Sequence, residues 1–494
     1  MKQILSFAVL FIHAVFAFSQ TNLLHESLLP FKMRTENQGL AFKQPVLNST
    51  LAEALDKAFD SITALTPIKG FNAAMLLPDG SVWKRARGLA QGIPTQEALT
   101  TDHLMGMGSI SKSFVATTML LLHEDGLLHL DDSIGQYVGP YPNVPGNVTI
   151  RQLLSHRSGI GDYLNENPAM SQAWLNNLDS IWVADTILNY YVPAPNFPVG
   201  TDWSYSNTNF MLAGRIIETI TGQPWYVVLR ARVLEPLGLT HTFVYPWETP
   251  DNQPFAHVWA DLDDNGSVED LQGLGVPDAG LFSMANSGGC LISTPEDLAR
   301  FSERVYGDHF LQAATLAEME TDYIQSPAAG KYGLGTASFL FPQQIENWGH
   351  NGDLIYKSIA LYFPTENLAF ALQQNDDREN DPTASNPVLD AYDVYLYLLD
   401  TYLNYAAPSA THEITDAAQS LSVFPNPVGT SFQLKFIENA HPVYPLRLVL
   451  SDITGKTVLS QTVENEGDAI SVGQLPAGVY RLRAGAFSGK IVRQ

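Results

Sequence analysis

Strand-like sequence stands at both ends of one long stretch of this chain, and helical patches fill the middle. Near the start, Gly70–Pro78 and Ser81–Ala90 are joined by Pro78-Asp79-Gly80, a combination that turns a hairpin. Near the end, Ser358–Pro364 and Leu368–Asn375 flank Thr365-Glu366-Asn367. Between them, residues 150 to 320 alternate helical patches with Pro- and Gly-rich loops. Hairpins so far apart bury their apolar faces most simply in one antiparallel sheet formed by both ends, with a helical lobe inserted. Leu51–Leu65 has helical periodicity and leads in, and a helix-like Tyr392–Tyr405 closes the unit. The expected fold is α+β over residues 51–405: an antiparallel sheet flanked by helices, with a helical lobe.

The flanks have a different character. Met1-Lys2 gives a positive start, Ile4 to Phe18 is almost unbroken apolar sequence, and Ala17-Phe18-Ser19 offers small residues where a signal peptidase reads. That run is shorter than the roughly 20 residues of a spanning helix. Residues 1–19 therefore read as a signal peptide cleaved near Ser19–Gln20, and 20–50 as a polar leader. No later stretch is long and apolar enough to span a bilayer. Residues 406–420 are small and polar, which marks a linker. Residues 421–494 alternate as short strands, including Arg447–Ser451, Thr457–Gln461 and Val479–Arg483, with turns at Thr454-Gly455 and Ala477-Gly478. They predict a small β-sandwich.

Charge and cysteine narrow the function. The chain carries 27 Lys and Arg against 51 Asp and Glu, a formal charge of −24. So acidic a surface repels phosphate backbones and disfavours nucleic acid as a partner. Cys290 is the only cysteine. It lies in the apolar run Gly-Gly-Cys-Leu-Ile-Ser, which reads as a buried strand, so a structural thiol is expected.

Chemistry gathers at three places. The first is Gly108-Ser109-Ile110-Ser111-Lys112, ahead of the very apolar helical run Ser113–Asp125 that Gly126 stops. A serine hydroxyl needs a base to take its proton. A lysine three residues on shares its helix face, and burial lowers its pKa toward that of a base. Gly108 lets a substrate approach closely. Ser111 and Ser113 are rival hydroxyls, but neither has a lysine three residues later. The second place is Tyr205-Ser206-Asn207, where a phenol can relay a proton and an amide two residues on points the same way. The third is Gly349-His350-Asn351-Gly352, read as a strand edge just before the strand pair. Its backbone N–H groups are free for a substrate carbonyl, and His350 would offer a hydrogen bond or a positive charge to a carboxylate.

Taken together and in this order, the three resemble the active-site signature of the penicillin-binding and class C β-lactamase-like serine hydrolases: Ser-x-x-Lys, Tyr-x-Asn, then a Lys- or His-x-Gly strand. Leu153-Leu154-Ser155-His156-Arg157-Ser158-Gly159-Ile160, the run Ser287–Leu298 and Tyr332-Gly333-Leu334-Gly335 resemble further segments of that family. The resemblance implies that Ser109 attacks a carbonyl, Lys112 accepts its proton and Tyr205 carries a proton to the leaving group. It implies that Asn207 orients Lys112 and the substrate, that Ser109 and Asp353 N–H groups form the oxyanion hole beside Gly352, and that His350 steers substrate. It implies no metal and no organic cofactor. His350 stands where class C β-lactamases carry lysine, as in peptidase-, aminopeptidase- and esterase-like members, and Arg157 stands where threonine is commoner.

The function so implied is a secreted serine hydrolase working through an acyl-enzyme on D-amino-acid peptides, small amides or β-lactams. A carboxylesterase using the same residues is the alternative, as is a non-catalytic penicillin-binding or adhesive surface protein. Asp261 to Asp270 has alternating carboxylates around Gly266, as an EF-hand-type loop does, but Gln272 stands where the bidentate Glu belongs, and an acidic hairpin turned at Asn265-Gly266 is the preferred reading. The tail resembles a type IX secretion sorting domain through Val423-Phe424-Pro425-Asn426-Pro427, Asp452-Ile453-Thr454-Gly455-Lys456 and Leu475-Pro476-Ala477-Gly478-Val479-Tyr480. That implies the type IX machinery as partner and a secreted or cell-surface location reached through the periplasm.

Overall fold

The computed structural model describes residues 47–406, except 251, 262–266, 308–309, 325–329, 342–344 and 379–387, and residues 419–493, except 425–428, 437–445, 452–456, 464, 466–467, 477 and 485–486. The signal peptide, nearly all of the leader and linker, the centre of the acidic hairpin and parts of the tail motifs lie outside the described residues.

Helix α1 (Ser49–Thr63) starts at Asn48, whose side-chain oxygen accepts from the N–H groups of Thr50 and Leu51. Strands β1 (Gly70–Leu76) and β2 (Val82–Gln91) form the expected hairpin, turned where Gly80 takes a φ of 80°, and β3 (Glu97–Ala98) extends it. Helix α2 (Ser111–Glu124), helix α3 (Asn207–Thr221) and helix α4 (Pro295–Tyr306) follow. The chain then returns through β4 (Lys331–Tyr332), β5 (Ala337–Ser338), β6 (Trp348–Leu354), β7 (Tyr356–Phe363) and β8 (Leu368–Gln374), and ends the domain in α5 (Ala391–Ala406).

The eight strands make one sheet in the order β3-β2-β1-β8-β7-β6-β5-β4, antiparallel throughout. Both chain ends meet at its centre, where β1 pairs with β8 from Phe71↔Gln374 to Leu76↔Ala369. The central strands are buried on both faces, and their alternation sorts side chains by size. Phe71, Met75, Leu361, Phe363, Phe370 and Leu372 face α1 and α5, while Ala74, Ala360, Ala369 and Ala371 join the core shared with the helical lobe. Small residues on that face leave room for α4, whose Phe301 packs in the same core.

The sheet has more strands than the two hairpins read from sequence. Gly349–Gly352, read as a strand edge just before the strand pair, lies inside β6, which pairs with β7 from Trp348↔Tyr362 to Leu354↔Tyr356. Glycine and asparagine in this segment hide its strand character from propensity. In the tail, Leu446–Ser451 pairs antiparallel with Thr457–Val463 and with Gly478–Ala484, and the latter with Phe487–Arg493. Gln419–Phe424 pairs with Ser431–Phe436, and Phe432, Leu448, Leu450, Leu482 and Ile491 share a small core. Among the described residues no helix is long and apolar enough to cross a membrane.

Candidate active site

Ser109 sits in a single 3-10 turn, Gly108–Ile110, that feeds directly into α2. Every side chain of α2 from Ser111 to Leu122 is buried, which makes it the central helix of the lobe. The rival hydroxyls on it are already committed. Ser111 Oγ accepts from the N–H of Leu291 at 3.1 Å, and Ser113 Oγ donates to the carbonyl of Gly335 at 2.7 Å. Ser109 alone opens toward solvent.

Lys112 reaches back along the helix face to place its Nζ 2.9 Å from Ser109 Oγ. The same Nζ donates to Asn207 Oδ1 at 2.7 Å and to the carbonyl of Gly288 at 2.6 Å. Burial lowers its pKa to about 7, against the opposing charge of Asp162. Asn207 is the first residue of α3, and its Nδ2 donates to Asp162 Oδ2 at 2.9 Å, which settles which end of the amide faces the lysine. Asp162, itself 1% exposed, also accepts from Leu164 N and Asn165 Nδ2.

Tyr205 approaches from the other side, with Oη 2.7 Å from Ser109 Oγ and its ring 4.9 Å from Lys112 Nζ. Burial pushes its phenol well above the ordinary value, so the hydroxyl keeps its proton and donates to the serine. Ser109, Lys112, Tyr205 and Asn207 thus form one hydrogen-bonded group.

The backbone of β6 lies against the Ser109 turn. A Cβ added at Gly352 would stand 1.9 Å from Met107 O, and one at Gly108, where φ is 50°, would stand 2.7 Å from Asp353 N. These glycines let strand and turn touch; at Gly108 the close approach is by Asp353 backbone rather than by substrate. The contact brings the Asp353 backbone nitrogen against the turn that carries Ser109, and among the described residues β6 pairs with β5 at Gly349. The Asp353 carboxylate pairs with Lys357 at 2.7 Å.

Of the two roles read for His350, a hydrogen bond or a positive charge, its burial disfavours the charge. His350 is 3% exposed, its Nε2 lies 3.1 Å from Tyr332 Oη and its Nδ1 2.5 Å from the carbonyl of Asn351. Burial first, and the nearby Lys112 second, push its pKa down to about 3. Arg157 donates to the carbonyl of Gly200 at 2.6 Å, tying its loop to the segment that leads into Tyr205. Cys290 is fully buried and its thiol is pushed up by that burial. Asp270, at the end of the acidic hairpin, spends its carboxylate on the N–H groups of Gly92, Ile93 and Gly273 and on His257 Nδ1.

Sequence reading missed Gly288, which acts through its carbonyl and so leaves no side-chain signal. It also missed Asp162. An acidic residue just beyond the glycine-rich, apolar Gly159-Ile160-Gly161 must be buried against donors, and that was the available sign.

Residues 56–394 match the beta-lactamase family. The chain belongs to that family. Residues 422–494 match the secretion system C-terminal sorting domain, which indicates export to the cell surface or beyond. Within the family, penicillin-binding protein 4 of Amycolatopsis lactamdurans is 32% identical over 196 residues, 38% of this chain and 48% of the relative. Esterase EstB of Burkholderia gladioli is 31% identical over 204 residues, 39% of this chain and 51% of its own length. The chain therefore spans about half the length of these curated relatives. Among solved structures, D-amino acid amidase from Ochrobactrum anthropi SV3, complexed with L-phenylalanine amide, aligns with a TM-score of 0.61 at 27% identity, over 72% of this chain and 99% of that one.

Proposed function

We propose that this protein is an exported serine hydrolase that forms an acyl-enzyme on Ser109, with small amides and esters as its substrates. The observation that carries this reading is Ser109 Oγ held between Lys112 Nζ at 2.9 Å and Tyr205 Oη at 2.7 Å. Asn207 Oδ1 and the Gly288 carbonyl can only accept, so a neutral Lys112 amine gives them its two hydrogens and turns its lone pair to the Ser109 hydroxyl.

The Ser109 proton passes to Lys112 as Oγ bonds to the substrate carbonyl carbon. The oxygen that gains the charge faces the N–H groups of Ser109 and Asp353. Tyr205 gives its proton to the leaving nitrogen or oxygen and is refilled from Lys112, because a phenolate is disfavoured in that buried setting. Water then repeats the sequence on the acyl-enzyme. Asn207 orients Lys112 and the substrate amide.

The neutral His350 favours amides and esters over substrates recognised through a carboxylate, such as β-lactams and peptides with a free C-terminus. The family's esterase and amidase relatives fit that preference. Export follows from the apolar N-terminal run read as a signal peptide, together with the sorting domain.

Intact-mass analysis of the full chain with a nitrophenyl ester, a D-phenylalanine amide and a fluorescent penicillin, wild type beside Ser109→Ala, tests the reading. A serine-dependent adduct or turnover with ester or amide supports it. Identical behaviour of the two proteins with all three reagents removes the nucleophile.

A further inference from the structure

The hydroxyl of Tyr332 stands between two imidazoles, 3.1 Å from His156 Nε2 and 3.1 Å from His350 Nε2. A phenol has one proton and cannot donate to both. The direction is decided on the far side of His156, where Nδ1 faces the backbone N–H of Ser206 at 3.1 Å and the side-chain amide of Asn209 at 3.0 Å. A backbone N–H only donates, so His156 Nδ1 is unprotonated and the neutral ring carries its hydrogen on Nε2. His156 therefore donates to Tyr332, and Tyr332 donates to His350 Nε2. The remaining hydrogen of His350 sits on Nδ1, facing the carbonyl of Asn351.

This directed chain joins the two halves of the site. His156 accepts from Ser206, the residue between Tyr205 and Asn207, and its ring lies over Tyr205 with centroids 4.3 Å apart. His350 is two residues before Gly352 in β6, the strand that offers the Asp353 N–H. Tyr332, in β4, is buried, as are both histidines. The titratable groups that face these rings are Lys112 from α2, Tyr205 from the loop before α3 and Tyr306 from α4, with the Asp162 carboxylate behind Lys112. A proton added to His156 would set N–H against the Ser206 N–H, and one on either ring would place a second cation beside Lys112.

We propose that Tyr332 is a positioning residue for the reaction: by passing one directed hydrogen bond from His156 to His350, it holds both rings neutral and ties the Tyr205–Asn207 segment to the oxyanion strand. The role rests on the acyl-enzyme reading of Ser109.

Two measurements on the full chain test it. Nitrogen-15 NMR of the wild-type histidines, assigned by single substitutions, is expected to show His156 as the Nε2–H tautomer and His350 as the Nδ1–H tautomer, neither titrating between about pH 5 and 8. Tyr332→Phe keeps the ring but leaves His350 Nε2 free to take a proton. It is expected to lower kcat on a nitrophenyl ester about tenfold with little change in KM, and to add an acid-side protonation step that the wild type lacks. The NMR result is read on the wild type and stands apart from turnover. Either histidine in the opposite tautomer or titrating in that range overturns the proposal, and so does a folded Tyr332→Phe with wild-type kcat and pH profile. A wild type with the expected tautomers but no Ser109-dependent turnover overturns the acyl-enzyme reading, and the positioning role with it.

Discussion

The Nζ of Lys112 lies 2.9 Å from Ser109 Oγ at the end of a side chain with no exposed surface. A lysine so placed, with its pKa lowered to about 7, is a base above that pH and an acid below it. Ester hydrolysis should therefore rise with pH through a midpoint near 7, and kcat/KM measured from pH 5 to 9 checks this. Both site histidines are pushed down by burial and cannot supply that step. Glu320, also raised to about 7, is outside the site, so Glu320→Gln should leave the profile unchanged. Lys112→Arg should lose activity by about a thousandfold or more, because a guanidinium does not release its proton.

Tyr205→Phe removes one oxygen and leaves the ring between His156 and Lys112. The expected loss in kcat is about a hundred- to ten-thousandfold, the usual worth of a placed general acid. Amides should suffer more than nitrophenyl esters, whose leaving group needs no proton. A variant equally impaired on both would deny Tyr205 the acid's role.

Asp162 touches no substrate, yet its charge raises the Lys112 pKa and its oxygen holds Asn207. Asp162→Asn removes that charge, so the ascending limb of the pH profile should move to lower pH. The amide nitrogen also faces either the Leu164 N–H or the donors of both Asn165 and Asn207, so kcat should fall as the loop that holds Asn207 loosens. A limb that stays in place or moves upward would show that the charge is not felt at Lys112.

Gly352 is needed for a reason sequence does not display. A Cβ there would stand 1.9 Å from the carbonyl of Met107, and backbone cannot yield as a side chain can. Gly352→Ala should cost about 1–3 kcal/mol of stability and separate the oxyanion strand from the serine turn. Thermal unfolding and kcat together check it. Unchanged values in both would mean that strand and turn do not touch in this way.

How much of this was legible follows from the range of each interaction. The β1–β2 hairpin and α2 could be read because their signals, Asp79-Gly80 and an apolar run stopped at Gly126, are local. Ser109, Lys112, Tyr205 and Asn207 were recognisable as motif residues, and their side chains do meet. Which of its two roles, hydrogen bond or positive charge, His350 is suited to was not legible because its partner, Tyr332, is 18 residues away in another strand and nothing in Gly-His-Asn-Gly announces burial. The full length of β6 was not legible because glycines that allow close approach weaken the strand signals around them.

Burying Lys112 also ties stability to pH, and the sign can be worked out. Its pKa is about 7 in the folded protein, against the ordinary 10.5 expected when the chain unfolds. Between those values the unfolded chain binds a proton that the folded chain has released, so rising pH favours the folded state. The full penalty is felt below the folded pKa and disappears as pH climbs toward 10.5. The slope approaches about 1.4 kcal/mol per pH unit within the window. Groups away from Lys112 titrate alike in wild type and Lys112→Met, so the difference between their melting temperatures reports on Lys112 and the neighbours its charge reaches. From pH 7 to 9 the wild type should gain a few degrees on the variant, about what 2–3 kcal/mol is worth in a domain of this size. Parallel melting curves across that range would mean that Lys112 keeps its proton in the folded protein, and the serine would then lack its base.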